Sequence, residues 1–159
     1  MDLFSLPKRI GDPPRTNPTM PHQQESENAP PALQEALFER IAALPGVVVG
    51  PSHVSVPGAR AFHLDEAHAT GPEGAFMVGT EFAHLHPAYD GSLHLRLPEA
   101  MALQVIEQGW GEFHPLVLQG EMPPTMVMVF GPRDAAELDT VFSIVRASYD
   151  SATGATTSE

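Results

Sequence analysis

The spacing of apolar residues changes along this chain, and each change marks an element. Leu33, Ala36, Leu37, Ile41 and Leu44 recur at helical intervals, with Pro30-Pro31 ahead and Pro45-Gly46 behind. That predicts a first helix from about Ala32 to Leu44. Val47-Val48-Val49 reads as a short buried strand ending at Gly50-Pro51, and His53 to Val56 and Ala59 to Leu64 as strands joined by Pro57-Gly58. From Ala75 to His86 the period is two, so Phe82, His84 and His86 are expected on one face and Glu81, Ala83 and Leu85 on the other. Beyond the turn at Tyr89-Asp90-Gly91, Ser92 to Leu97 returns as the second strand of a β-hairpin, with His94 and Arg96 on one side. Pro98 opens a helix that carries Ala102, Val105 and Ile106 inward and ends at Gly109, after which Trp110 to Leu118 reads as extended. Thr125 to Phe130 is apolar on both faces, the mark of a covered central strand. Asp134 and Glu137 form a capping-box variant ahead of the stripe Leu138, Val141, Phe142, Val145 and Tyr149, a helix to about Ser151.

This order predicts the α+β class: one domain over residues 31–152, with about three helices packed against a mostly antiparallel sheet. Residues 1–30 hold Pro7, Pro13, Pro14, Pro18, Pro21 and Pro30, which forbid helix and sheet ladders. They read as a disordered lead-in, or as an arm that docks through Leu3, Phe4, Leu6 and Ile10. Residues 153–159 read as a frayed tail.

Composition narrows the function. Eight basic and 20 acidic side chains give a formal net charge of −12, which repels phosphate backbones and anionic lipid surfaces, so nucleic acid and membrane are not expected partners. The absence of cysteine removes disulfides, thiolate metal sites and a cysteine nucleophile. The start has neither the cationic segment nor the apolar run of a signal peptide, and a cytoplasmic protein is expected. There is no Gly-x-Ser-x-Gly elbow, phosphate loop or dinucleotide fingerprint.

The chemistry concentrates between Glu81 and His114, which hold His84, His86, His94, His114 and the single tryptophan, Trp110. His84 and His86 on one strand face stand about 6–7 Å apart at the backbone, close enough to share an ion, and His94 across the hairpin offers a third ligand. Strand alternation takes Glu81 away from such a site, leaving Asp90, Glu112 or His114 as the fourth candidate. Three readings stay open: polar surface, a divalent metal site on His84, His86 and His94, or a metal-free cleft. In the last, one of the four histidines is the base, and Arg96 or Arg60 stabilises negative charge. Trp110, Glu112, Arg60, Tyr89 and Asp90 are candidate pocket residues. For Trp110 the competing role is a core anchor, and for each arginine a surface ion pair.

The runs Gly79-Thr80-Glu81-Phe82-Ala83-His84-Leu85-His86, Gly91-Ser92-Leu93-His94 and Val105 to Pro115, with Val129 to Asp134 leading to Ala147-Ser148-Tyr149, resemble the luciferase-domain family over roughly Leu33 to Ala152. That family is named for the luciferase of luminous fungi and includes many short proteins of non-luminous bacteria and fungi. The resemblance implies an oxygen-dependent oxidoreductase acting on a small enol or aromatic compound, here without light emission. The fungal enzyme oxidises a hydroxylated pyrone without ATP, through a peroxide that loses carbon dioxide. It also carries a membrane-associated N-terminal region, where this chain has a proline-rich arm. The resemblance marks the motif residues as site positions without assigning roles. A non-catalytic module for a small ligand or a metal, or an interaction domain, is the alternative. The expected partners are a small molecule and a second copy of the chain.

Overall fold

The computed structural model describes residues 5–155. Six strands form one antiparallel sheet in the order β1-β2-β3-β4-β6-β5: β1 Val47–Pro51, β2 Arg60–Leu64, β3 Glu81–Leu85, β4 Leu93–Arg96, β5 Gly111–Phe113 and β6 Met126–Val129. The helices are α1 Pro31–Ala42, α2 Glu99–Glu107, the short α3 Pro115–Leu118 and α4 Ala135–Thr153. The protein is thus α+β. Asp134 caps α4 by accepting the Glu137 amide at 2.8 Å, and Gly154 closes it with φ 79°, a conformation glycine adopts without strain.

Cross-strand register sorts the side chains into rows. Glu112, Met128, His94 and His84 lie opposite one another across β5, β6, β4 and β3. The flanking rows, Val129–Leu93–Leu85 and Val127–Leu95–Ala83, therefore face the other way. Against these apolar rows pack Leu37 and Ile41 of α1, Ala102 and Val105 of α2, and Val141, Ile144 and Val145 of α4. Each such side chain, fully withdrawn from water, contributes about 1.5–3 kcal/mol. Gly111 permits the close fit of β5: a Cβ there would stand 2.1 Å from the Met128 carbonyl oxygen.

Several sequence expectations need correction. Val47–Pro51 is an edge strand with Val48 and Val49 exposed, because only β2 pairs with it. His53 to Val56 forms bends rather than a strand, and Trp110 to Leu118 is extended only over Gly111–Phe113 before Pro115 opens α3. The strict alternation of β3 also fails. Phe62 pairs with Ala83 but His63 with Glu81, so Phe82 is the extra residue of a β-bulge. The bulge puts Phe82 in the core beside Phe62 and Tyr149, off the histidine face, and swings Glu81 round to His84.

Residues 6–9 of the proline-rich segment pack at α2, and the part around His22 covers the sheet face that carries His94 and Glu112. The segment's prolines need no ladder partners, and its hydrogen bonds run to groups scattered through the domain. Leu6, Arg9, His22, Gln24 and Ala29 are buried, whereas Ile10 is exposed. Trp110 Nε1 donates to the Pro7 carbonyl at 2.6 Å, and the Arg9 amide donates to the Gln108 carbonyl at 2.9 Å. Farther along, Gln24 Oε1 accepts the Gly131 amide at 3.0 Å, and Asn28 Nδ2 donates to the Asp90 carbonyl at 2.8 Å. Leu3 and Phe4 lie outside the described residues.

Candidate functional site

The hairpin of β3 and β4 builds the floor of the site. His84 and His94 are direct cross-strand partners, and His86 continues the line just past the end of β3. All three are buried, and their inner nitrogens meet: His94 Nδ1 is 3.0 Å from His86 Nε2 and 3.3 Å from His84 Nε2. One ring nitrogen from each lies within 4.8 Å of those of the other two.

What stands behind the rings fixes their tautomers. His84 Nδ1 is 2.9 Å from Glu81 Oε2, a carboxylate that also accepts from the Ser52 hydroxyl and the His53 amide. Burial would raise Glu81, but the hydrogen bonds from His84, the His53 amide and Ser52 outweigh it and hold its pKa below the ordinary value. Burial likewise lowers the pKa of His84, so the pair is a carboxylate and a neutral imidazole with its proton on Nδ1. The Nε2 lone pair then points inward. His86 repeats the pattern: its Nδ1 is 2.9 Å from Ser92 Oγ and 3.2 Å from Asp90 Oδ2, while the Ser92 hydroxyl donates to Asp90 Oδ1 at 2.5 Å. Asp90 is held low by His86 and Ser92 against the opposing effect of its own burial.

The outer nitrogen of His94 meets the arm. His22 Nδ1 is 2.8 Å from His94 Nε2, and His22 Nε2 is 2.6 Å from Glu112 Oε2, which Thr16 also donates to at 2.8 Å. His94 has its pKa pushed well below the ordinary value, by burial first and then by the surrounding histidines. His22, His94 and His114 also place ring nitrogens within 4.8 Å of one another. The His22–His94 separation of 2.8 Å is a hydrogen-bond length.

His114 sits at the N-terminus of α3, where its Nδ1 accepts the Leu116 amide at 3.1 Å. Burial, with His22, His84 and His86 nearby, pushes its pKa down to about 4. It is neutral at pH 7 with its proton on Nε2, the nitrogen left for a ligand. His22, His84, His86, His94 and His114 border a cavity of about 400 Å³ whose other walls are largely methionine and valine, including Met20, Met77, Met122, Met126, Val54 and Val56.

The sequence-derived candidates thus divide. His84, His86, His94 and His114 come together, with Asp90 and Glu112 hydrogen-bonded behind the rings. Arg96 bonds to Thr125 Oγ1 and the Phe76 carbonyl, beside a separate pocket. Arg60 is tied to the Glu35 carboxylate by two hydrogen bonds and stacks on Phe38, at the α1 side. Trp110 anchors the arm at Pro7. Tyr89 is exposed, its hydroxyl accepting from Gln23. Strand alternation sets Glu81 aside, and the bulge brings it back; sequence reasoning misses His22, which no periodicity connects to the hairpin and whose one signal is a histidine inside the arm.

Comparison with known proteins converges on the same stretch. The luciferase-domain family model matches residues 79–148, which span β3 to most of α4 and include His84, His86, Asp90, His94, Glu112 and His114. The luciferase of Armillaria mellea is 29% identical over 174 aligned residues, covering 92% of this chain and 60% of that protein. The luciferases of Armillaria gallica and Neonothopanus nambi are each 40% identical over 70 residues, covering 43% of this chain and 26% of theirs. The chain therefore spans 60% or less of the length of these relatives. No solved structure matches. Among the described residues no helix is long and apolar enough to cross a membrane. The hairpin with its histidines, the helix that follows and the strand that returns Glu112 all fall within the stretch that matches the luciferase-domain family.

Proposed function

We propose that the histidine-floored cavity binds a small enol or hydroxylated aromatic compound and supports its oxidation by molecular oxygen, without light emission. One observation carries this reading: four imidazoles of the domain converge at the base of an apolar cavity of about 400 Å³, within the size range of small-molecule sites. The methionine and valine walls suit a flat, largely apolar body, and the floor suits its oxygen atoms.

Oxidation of an enol by dioxygen begins with loss of the O–H proton. The enolate carbon then forms a bond to oxygen, and two electrons pass from the enolate to reduce dioxygen to the peroxide level. Inward lone pairs on His84 and His86 are acceptors for that proton. His114, held neutral, offers Nε2–H to the developing enolate or peroxide oxygen, a donor fixed in place at the cavity. The names of the relatives support the oxygen-dependent class, since each is a luciferase.

Oxygen uptake measured with a panel of hydroxylated pyrones, catechols and enolic diketones tests the reading. Saturable uptake is expected with at least one class, with no light and a product gaining oxygen mass. His114→Gln should lower the turnover by about 100–1,000-fold, the usual cost of losing one such donor. Saturable binding without oxygen consumption would assign the cavity to a non-catalytic module, and absence of binding across the panel would reject a small-molecule site for these classes.

A further inference from the structure

The floor carries buried negative charge that no lysine or arginine among the described residues neutralises. Glu81 and Asp90 are fully buried and Glu112 is half-buried. Each meets a histidine. Their hydrogen bonds hold Glu81 and Asp90 in the ionised form, so the negative charge stays behind the rings and favours a bound cation in front of them. A conflict lies at the inner nitrogens. With His84 and His86 protonated on Nδ1, two lone pairs face the single Nδ1 of His94, which has one proton at most to share between them.

Both features have the same solution. We propose that His84 Nε2, His86 Nε2 and His94 Nδ1 bind one first-row divalent transition-metal ion, and that His22 of the arm, backed by Glu112, positions His94 for it. The separations fit. Ligand nitrogens about 2.0–2.1 Å from such an ion stand about 2.9 Å apart at right angles and about 3.4 Å apart in a tetrahedron. The His94 Nδ1 separations of 3.0 and 3.3 Å fall at these two values. Neutral imidazole nitrogens suit zinc, iron, copper or nickel over calcium or magnesium.

The same set explains the arm. A metal-ligating histidine ordinarily gives its outer N–H to a carboxylate, which fixes the tautomer and raises the ligand's basicity. His84 has Glu81 and His86 has Asp90, but the nearest carboxylate to His94, Glu112, is one ring away. His22 fills the gap. With His94 donating from Nε2 to His22 Nδ1, and His22 donating from Nε2 to Glu112, the lone pair on His94 Nδ1 is turned to the floor. The proline-rich arm is in this way part of the metal centre, and its Met20 and Pro21 wall the same cavity.

This inference deepens the proposed function by naming a cofactor for that cavity; with the ion held, His84 Nε2 and His86 Nε2 would be its ligands rather than the proton acceptors, and the inference can fail separately. The test uses the full chain purified without a nickel column, stripped with chelator and titrated with Co²⁺ and Zn²⁺. One equivalent should bind, with visible cobalt bands of a three-nitrogen site, and His86→Ala should abolish them. His22→Ala and Glu112→Gln should each weaken binding by about 10–100-fold and shift the cobalt bands. Leu6→Ala, which loosens the arm far from the floor, should lower thermal stability but leave the bands unchanged. Binding of no stoichiometric ion overturns the metal site. Identical affinity and bands in His22→Ala and Glu112→Gln overturn the role of the arm. Oxygen uptake by chelator-stripped protein at the full rate would overturn the metal inference while leaving the proposed oxidation standing.

Discussion

The central strands present two faces of opposite construction. On one, Ala83, Leu85, Leu93 and Leu95 sit under α1, α2 and α4, together with Phe62 and Phe82. On the other, His84, His86 and His94 sit under a segment without regular structure. The helix-covered face is held by area removed from water, which tolerates exchange among apolar groups of similar volume. The arm-covered face is held by directional contacts among ring nitrogens, carboxylates and hydroxyls, so a single deletion strands its neighbour. The first face supports the fold, and the second spends polar contacts on placing nitrogens at one point.

Substitutions should separate the two faces. Phe82→Ala removes a ring packed between Phe62 and Tyr149 and is expected to cost about 3–5 kcal/mol in denaturant unfolding. Cobalt bands of the folded fraction should stay unchanged. Altered bands there would show that the two faces are coupled through the bulge.

A smaller effect should appear as acid lability of the metal-free protein. His84, His94 and His114 have folded pKa values below their ordinary 6.5, burial being the first cause. The unfolded chain therefore binds more protons below that pH. The stability these groups contribute is present above pH 6.5 and lost as pH falls, for His114 down to about 4. Glu81 and Asp90, depressed from 4.5 and 3.8, add a further loss below those values. Melting temperature should thus decline from about pH 6.5 downward, not only below 4.5 as carboxylates alone would give. A flat profile between pH 7 and 5 would contradict the neutral, buried histidines.

The difference between the faces also explains what was legible in the sequence. Periodicity reports a surface that meets another regular surface, so α1, α2, α4, the hairpin and the covered strand β6 could be read from spacing alone. His84, His86 and His94 followed from the same logic. Glu81 did not, because a one-residue bulge reverses side-chain parity without leaving a mark in composition. His22 did not, because it reaches His94 across 72 positions of chain through an arm whose prolines carry no period. By charge alone Arg60 and Arg96 suit anion stabilisation, but local acceptors on Glu35, Thr125 and Phe76 hold both.

The central claim is a placement of protons, and imidazole nitrogen chemical shifts read it directly. Long-range ¹H–¹⁵N correlation spectra of uniformly labelled, metal-free protein at pH 7.5 should show His84 and His86 as Nδ1–H tautomers with unprotonated Nε2. His114 should be the opposite Nε2–H tautomer. One equivalent of Zn²⁺ should then shift Nε2 of His84 and His86 and move the His94 proton to Nε2. Finding His84 and His86 as Nε2–H tautomers, with shifts indifferent to zinc, would contradict the account.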